Sequence, residues 1–139
     1  MRPTMLETFM EMAYIVARRS TCLERQVGCI IASPDFEQIY SIGYNGNYKS
    51  GPNICDPIGP DGKCGCIHAE VNALIKCSVK DKNKKIFITL SPCINCAKLI
   101  INSGASAVYY GTKWKNNPGV KLLENAGIPC IYLPIKEEE

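Results

Sequence analysis

His68 is the only histidine in the chain, and a carboxylate, Glu70, follows it by two positions. Further along, Pro92-Cys93-Ile94-Asn95-Cys96 sets two thiols three residues apart. Neutral imidazole and two thiolates are good zinc ligands, and three protein ligands leave a fourth tetrahedral position for water. Zinc lowers the pKa of such a water toward about 7, which makes it a nucleophile at neutral pH. Glu70 is not needed as a ligand, and a carboxylate beside that position suits a proton carrier. A lone Cys-x-x-Cys also fits a redox motif or half of a structural zinc site, and a lone histidine also fits a satisfied core residue. The joint pattern favours catalysis.

The elements around these residues form an α/β order. Residues 4–19 read as a helix, with capping-box spacing between Thr4 and Glu7 and an apolar face of Leu6, Phe9, Ala13 and Val16. Residues 26–32 and Ile39–Tyr44 read as a strand pair around the turn residues Ser33-Pro34-Asp35. A helix starts near His68 and runs toward Cys77, a strand covers 84–90, and Pro92 opens the next helix, which stops at Gly104. A strand at Ala107–Gly111, a short helix from Asn117-Pro118 to Gly127, and a last strand at Ile128–Leu133 complete the order. Both thiols of the Cys-x-x-Cys then project from the first turn of a helix, whose positive end favours thiolate. One mixed sheet between helices is the expected architecture.

Between Gly46 and Gly65 lies a long irregular stretch rich in glycine and proline, and loops of that length are usually functional or pinned by something. At 139 residues the chain is expected to form one domain, residues 1–139. No apolar run reaches membrane-span length, and Glu7 and Glu11 interrupt any signal-peptide-like core, so a cytoplasmic location (host cytoplasm if viral) is expected. The net charge of +3, the 8% aromatic content and the lack of a long basic run argue against nucleic acid as a partner. Nine cysteines, an odd number, argue for metal ligation and buried thiols rather than a disulfide framework. Cys29, Cys77 and Cys130 fall in strands or helix and read as buried apolar residues. The tail Glu137-Glu138-Glu139 reads as a solvated end.

His-x-Glu followed by Pro-Cys-x-x-Cys is the signature of the zinc nucleobase deaminases. The wider chain resembles the deoxycytidylate (dCMP) deaminase family of phage type. The resemblance is carried by Arg19-Ser20-Thr21-Cys22, Gln26-Val27-Gly28, Gly43-Tyr44-Asn45-Gly46, Cys66–Ala73, Ser91–Ile101, Asn117-Pro118-Gly119 and Asn125–Ile128. It implies a three-layer α/β/α fold with a five-stranded mixed sheet. It also implies zinc on His68, Cys93 and Cys96, Glu70 as proton shuttle, and hydrolysis of dCMP to dUMP as a step toward thymidylate. Gly43, Tyr44, Asn45 and Gly46 are implied to lie by the nucleotide site and to take part in activation by dCTP with magnesium and inhibition by dTTP. A strand-ending turn is the alternative for that segment. A homo-oligomer, a hexamer by resemblance, is expected.

Substrate contacts are assigned to Arg25, Ser20, Asn45, Ala69 and Trp114, with Thr21, Lys113 and Lys115 as further phosphate candidates. Trp114 stands where the family commonly has a tyrosine, which leaves dCTP or another base open as substrate. Some phage-type relatives carry a second, structural zinc, and Cys22, Cys55, Cys64 and Cys66 are the residues here that would hold one. Against these enzyme readings stands a non-catalytic zinc-binding or DNA-uptake accessory protein of the same fold. The intact Glu70 speaks against it, because a structural zinc has no use for that carboxylate.

Overall fold

Alternation along the strands explains how the molecule is layered. In the computed structural model, which describes residues 1–22, 24–55 and 64–135, β1 spans Gly28–Ala32, and Cys29 and Ile31 face one side of the sheet while Ile30 and Ala32 face the other. β3 (Lys85–Leu90) and β4 (Ala107–Thr112) continue this split: Ile86, Ile88 and Val108 join the first set, and Phe87, Ala107 and Tyr109 the second. Runs that are apolar at every position therefore belong to strands covered on both faces.

The sheet order is β2-β1-β3-β4-β5, with β2 at Ile39–Tyr44 and β5 at Cys130–Tyr132. β1 is antiparallel to both β2 and β3, whereas β3, β4 and β5 run parallel. Helix α1 (Met5–Ala17) covers one face through Phe9, Met10 and Ala13, where Phe87 and Tyr109 stack at 4.8 Å. Helices α2 (Ala69–Lys76), α3 (Ile94–Asn102) and α4 (Pro118–Asn125) cover the other. The three-layer α/β/α arrangement with a five-stranded mixed sheet is as expected. The capping box of Thr4 and Glu7 is also present, with both reciprocal bonds made.

Boundaries shift where a side chain competes for them. Pro92 does not open α3. Cys93 is the N-cap, its Sγ accepting from the Cys96 N–H, so Pro92 lies one residue outside the helix. The helix expected near His68 starts at Ala69, with His68 as an extended N-cap. Cys29 and Cys77 are buried as expected, but Cys130 is only partly so, because β5 is an edge strand. Residues 56–63 of the long irregular stretch and the acidic tail lie outside the described residues. Among the described residues, no helix is long and apolar enough to cross a membrane, and every buried side-chain nitrogen and oxygen has a hydrogen-bond partner.

Candidate active site

The N-termini of α2 and α3 converge. The extended backbone at His68 turns its imidazole toward α3, and Nδ1 lies 3.2 Å from the Cys96 Sγ and 3.6 Å from the Cys93 Sγ. In a tetrahedral zinc site the sulfur–nitrogen edge is about 3.6 Å, from bond lengths of about 2.3 and 2.05 Å. The three ligand atoms, all within 4.8 Å of one another, therefore fit a zinc ion. The spacing of His68 and Glu70 is also explained: the cap residue leaves the helical path, so two positions that would diverge on a regular helix both reach the site.

Charge in the triad is uneven. The Cys93 thiol is pulled down to about 4, chiefly by the Cys96 side chain, with His68 and the Cys96 N–H adding to it. Cys96 is pushed up, first by Cys93 and then by burial. Both thiols lie at the positive end of α3, which favours the thiolate form that zinc binds. Glu70 is buried, which raises its carboxyl above the ordinary range. Its own N–H and His68 pull the other way. A carboxyl poised in this manner beside a metal triad can accept and return a proton.

A cleft of about 550 Å³ opens over the triad, lined by Cys22, Glu24, Arg25, Val27, Asn45, Cys64, Cys66, His68, Ala69, Glu70, Leu90, Ser91, Cys93, Ile94, Asn95, Trp114 and Pro118. A mixed apolar and polar cavity of this size suits a small ligand. Its wall includes most of a second cluster. The sulfurs of Cys22, Cys55, Cys64 and Cys66 all lie within 4.8 Å of one another. Cys22 and Cys64 approach to 3.3 Å, and Cys55 and Cys66 to 3.0 Å. Burial is the main cause that pushes Cys64 up to about 11 and Cys66 higher still, so four thiolates this close need a cation to offset their charge. A closed set of four sulfurs is the donor set of a structural zinc site.

Residues 3–112 match the family model of the cytidine and deoxycytidylate deaminase zinc-binding region. The chain belongs to that family. It is 36% identical to ComE operon protein 2 of Bacillus subtilis (strain 168), over 93% of this chain and 71% of that protein. It is 32% identical to the deoxycytidylate deaminase of Saccharomyces cerevisiae over 99% of its own length, and it spans 47% of that longer enzyme. In structure it is similar to the dCMP deaminase of cyanophage S-TIM5, solved in complex with dCMP and dUMP. There the TM-score is 0.84 at 29% identity, covering 96% of this chain and 99% of that one.

The deaminase-family residues expected to contact substrate are distributed unevenly. Arg25, Asn45, Ala69 and Trp114 line the cleft, and the Arg25 guanidinium sits 5.7 Å from the centre of the Trp114 ring. Ser20 is not among the lining residues. It is buried, and its Oγ accepts from the Cys22 N–H, so it braces the turn before Cys22. Thr21 and Lys115 are exposed and also outside the lining, and Lys113 packs over the Tyr132 ring at 4.6 Å. Asn45 borders the cleft with its amide already engaged: Nδ2 donates to the Arg25 carbonyl at 2.7 Å and Oδ1 accepts from the Val27 N–H at 2.8 Å.

Gly43-Tyr44-Asn45-Gly46 likewise has internal duties. Gly46 pairs with Ile67 through two backbone hydrogen bonds, fixing the approach to His68, and Asn72 donates to the Tyr44 carbonyl at 2.9 Å. Gly43 lets α2 touch the sheet. A Cβ there would stand 2.5 Å from the Ala73 nitrogen and 2.9 Å from its Cβ. Gly43→Ala is expected to cost about 2–3 kcal/mol of stability. It should also lower turnover, because α2 carries Glu70 in its first turn; urea midpoints together with an activity assay check both.

Sequence reasoning missed Glu24, and it gave Ser91, Asn95 and Asn117 no part in the site although they lie in stretches that carry the family resemblance. The Ser91 Oγ accepts from the Trp114 N–H at 2.7 Å and donates to Asn117 Oδ1 at 2.8 Å, so it anchors the loop that carries Trp114. Its place directly before Pro92-Cys93 was the available signal.

Proposed function

We propose that this chain, as a single domain over residues 1–139, catalyses the hydrolytic deamination of dCMP to dUMP. The observation that carries this is the buried Glu70 carboxyl beside the His68–Cys93–Cys96 triad, at a cleft bordered by Arg25. The likeness to the deoxycytidylate deaminases supports the same substrate. A zinc ion on the triad supplies Lewis acidity, which lowers the pKa of a water toward about 7.

The protein residues do the rest. Ala69, first residue of α2, has an N–H without an intrahelical acceptor and offers it to the pyrimidine carbonyl. Trp114 and Val27 shield the ring, and Arg25 takes the phosphate. As water adds to the ring carbon bearing the amino group, Glu70 receives its proton and passes it to the adjacent ring nitrogen. Glu70 then accepts the second proton of the same oxygen and delivers it to the departing amine, so that dUMP and ammonia are the products.

A dCTP–magnesium effector at Gly43–Gly46 is supported by two cations against the Tyr44 ring, Arg19 at 5.8 Å and Lys76 at 6.0 Å. Inhibition by dTTP at the same segment follows the family resemblance. Ile131 and Tyr132, exposed on the edge strand β5, support a homo-oligomer, with a hexamer as the proposed state. The cytoplasm, where these nucleotides are made, is the proposed location.

The test is ammonia release from dCMP, with and without dCTP and magnesium, by protein of measured zinc content. Turnover of dCMP that rises with dCTP is expected. Turnover of dCTP but not dCMP overturns the assignment of the phosphate state. Inactivity toward every cytosine nucleotide with zinc bound overturns the enzyme reading in favour of an accessory role.

A further inference from the structure

The four-cysteine cluster opens onto the catalytic cleft: Cys22, Cys64 and Cys66 line the same cavity as His68 and Glu70. A metal site whose only task is to fold a loop has no need to wall the substrate cavity. Three residues after Cys22 stands Arg25, exposed, with its guanidinium over the Trp114 ring at 5.7 Å from the ring centre, and both residues line the cleft. The stem of an arginine has a fixed length, so the loop that holds the backbone at Arg25 sets how far into the cleft its charge can reach.

That backbone is tied from two sides. On one side Asn45 donates to the Arg25 carbonyl and accepts from the Val27 N–H. On the other, Gln26 Nε2 donates to the Ser20 carbonyl at 2.9 Å, and the Cys22 sulfur lies 3.3 Å from that of Cys64. The short loop that presents Arg25 therefore hangs between Asn45 and the cluster.

We propose that the four-cysteine cluster is a positioning element for phosphate recognition: zinc bound by Cys22, Cys55, Cys64 and Cys66 fixes, through Cys22, the loop from which Arg25 binds the substrate's 5′-phosphate beside Trp114. The inference rests on dCMP as the substrate. The phosphate is remote from the carbon that reacts, so its contact stabilises ground state and transition state alike. Losing it raises KM and leaves kcat in place.

The experiment compares the full chain with Cys64→Ser, Arg25→Ala and the double variant. It measures zinc per chain, steady-state kinetics with dCMP, and calorimetric binding of dUMP. Cys64→Ser should lose one zinc, raise KM and the dUMP Kd by about 10- to 100-fold, the worth of a charge-assisted hydrogen bond, and hold kcat within about twofold. Arg25→Ala should do the same with its zinc complete. The double variant should be no worse than either single one, since both remove one contact. Cys64→His, which keeps a ligand, should restore both zinc and KM.

Should Cys64→Ser not fold, Gln26→Ala tests the same loop with every thiol intact, and it too should raise KM without loss of zinc. Additive effects in the double variant, or an unchanged KM in Gln26→Ala, overturn the proposal. Wild-type protein that deaminates dCMP while Cys64→Ser keeps its KM overturns this inference alone. Wild-type protein that neither binds dUMP nor deaminates dCMP overturns the substrate reading, and this inference with it.

Discussion

Glu70→Gln is expected to cut kcat on dCMP by on the order of 10⁴, about 5 kcal/mol of transition-state stabilisation, with zinc content unchanged. Glutamine has the shape of glutamate and keeps its hydrogen-bonding reach, so α2 and its His68 cap are not disturbed. What it lacks is a site that takes a proton and gives it back. The loss should lie at the upper end for general acid–base catalysis because one carboxyl serves both proton transfers in the proposed reaction. No neighbour substitutes for it. Cys29, the nearby buried thiol, has its pKa raised well above the ordinary value, first by burial and then by Glu70 itself. Burying a carboxylate is also costly, so the variant should be at least as resistant to urea as the wild type. Ammonia release, zinc analysis and a urea curve on one preparation check all three points. Turnover within about tenfold of wild type would assign the proton transfers to another group.

Residue type and spacing carried the metal groupings because both depend on what a sequence states outright. A lone histidine with a carboxylate two positions on, then a Cys-x-x-Cys after a strand, has few uses. The folded chain gathers His68, Cys93 and Cys96 on one side and Cys22, Cys55, Cys64 and Cys66 on the other. The sheet was legible for a similar reason: the apolar runs Cys29–Ala32 in β1 and Ile86-Phe87-Ile88 in β3 hold no proline, glycine, asparagine or aspartate. What could not be read was set by partners far away in the chain. Lys113 looked like a phosphate ligand until β5 brought Tyr132 under it. Asn45 was expected as a substrate contact and does line the cleft, but nothing in the sequence signalled that its amide also ties down residues 18 and 20 positions earlier. Ser20 faces the backbone of its own turn. Even the start of α3 depended on a contact, the Cys93 sulfur serving as a cap, which propensity at Pro92 does not anticipate.

His68→Ala should give the same loss of turnover by a different route, and the difference is the informative part. His68 caps α2 through its extended backbone and makes no side-chain capping bond, so removing the imidazole takes little from the helix. The side chain is exposed to the cleft, so no core cavity is created either. What disappears is one of the three proposed ligands, together with one of the partners that hold the Cys93 thiol low. Two thiols are a poor site for an ion that takes four ligands, while the four-cysteine cluster is untouched. Zinc should therefore fall by one equivalent, with the remainder resistant to mild chelation, and the thermal midpoint should move by only a few degrees, about what a 1 kcal/mol change produces in a domain of this size. Glu70→Gln and His68→Ala would then be equally inactive but differ by one zinc, which separates the loss of a proton carrier from the loss of a metal. A His68→Ala protein that retains its full zinc would remove His68 from the ligand set and leave Cys93 and Cys96 in need of another partner.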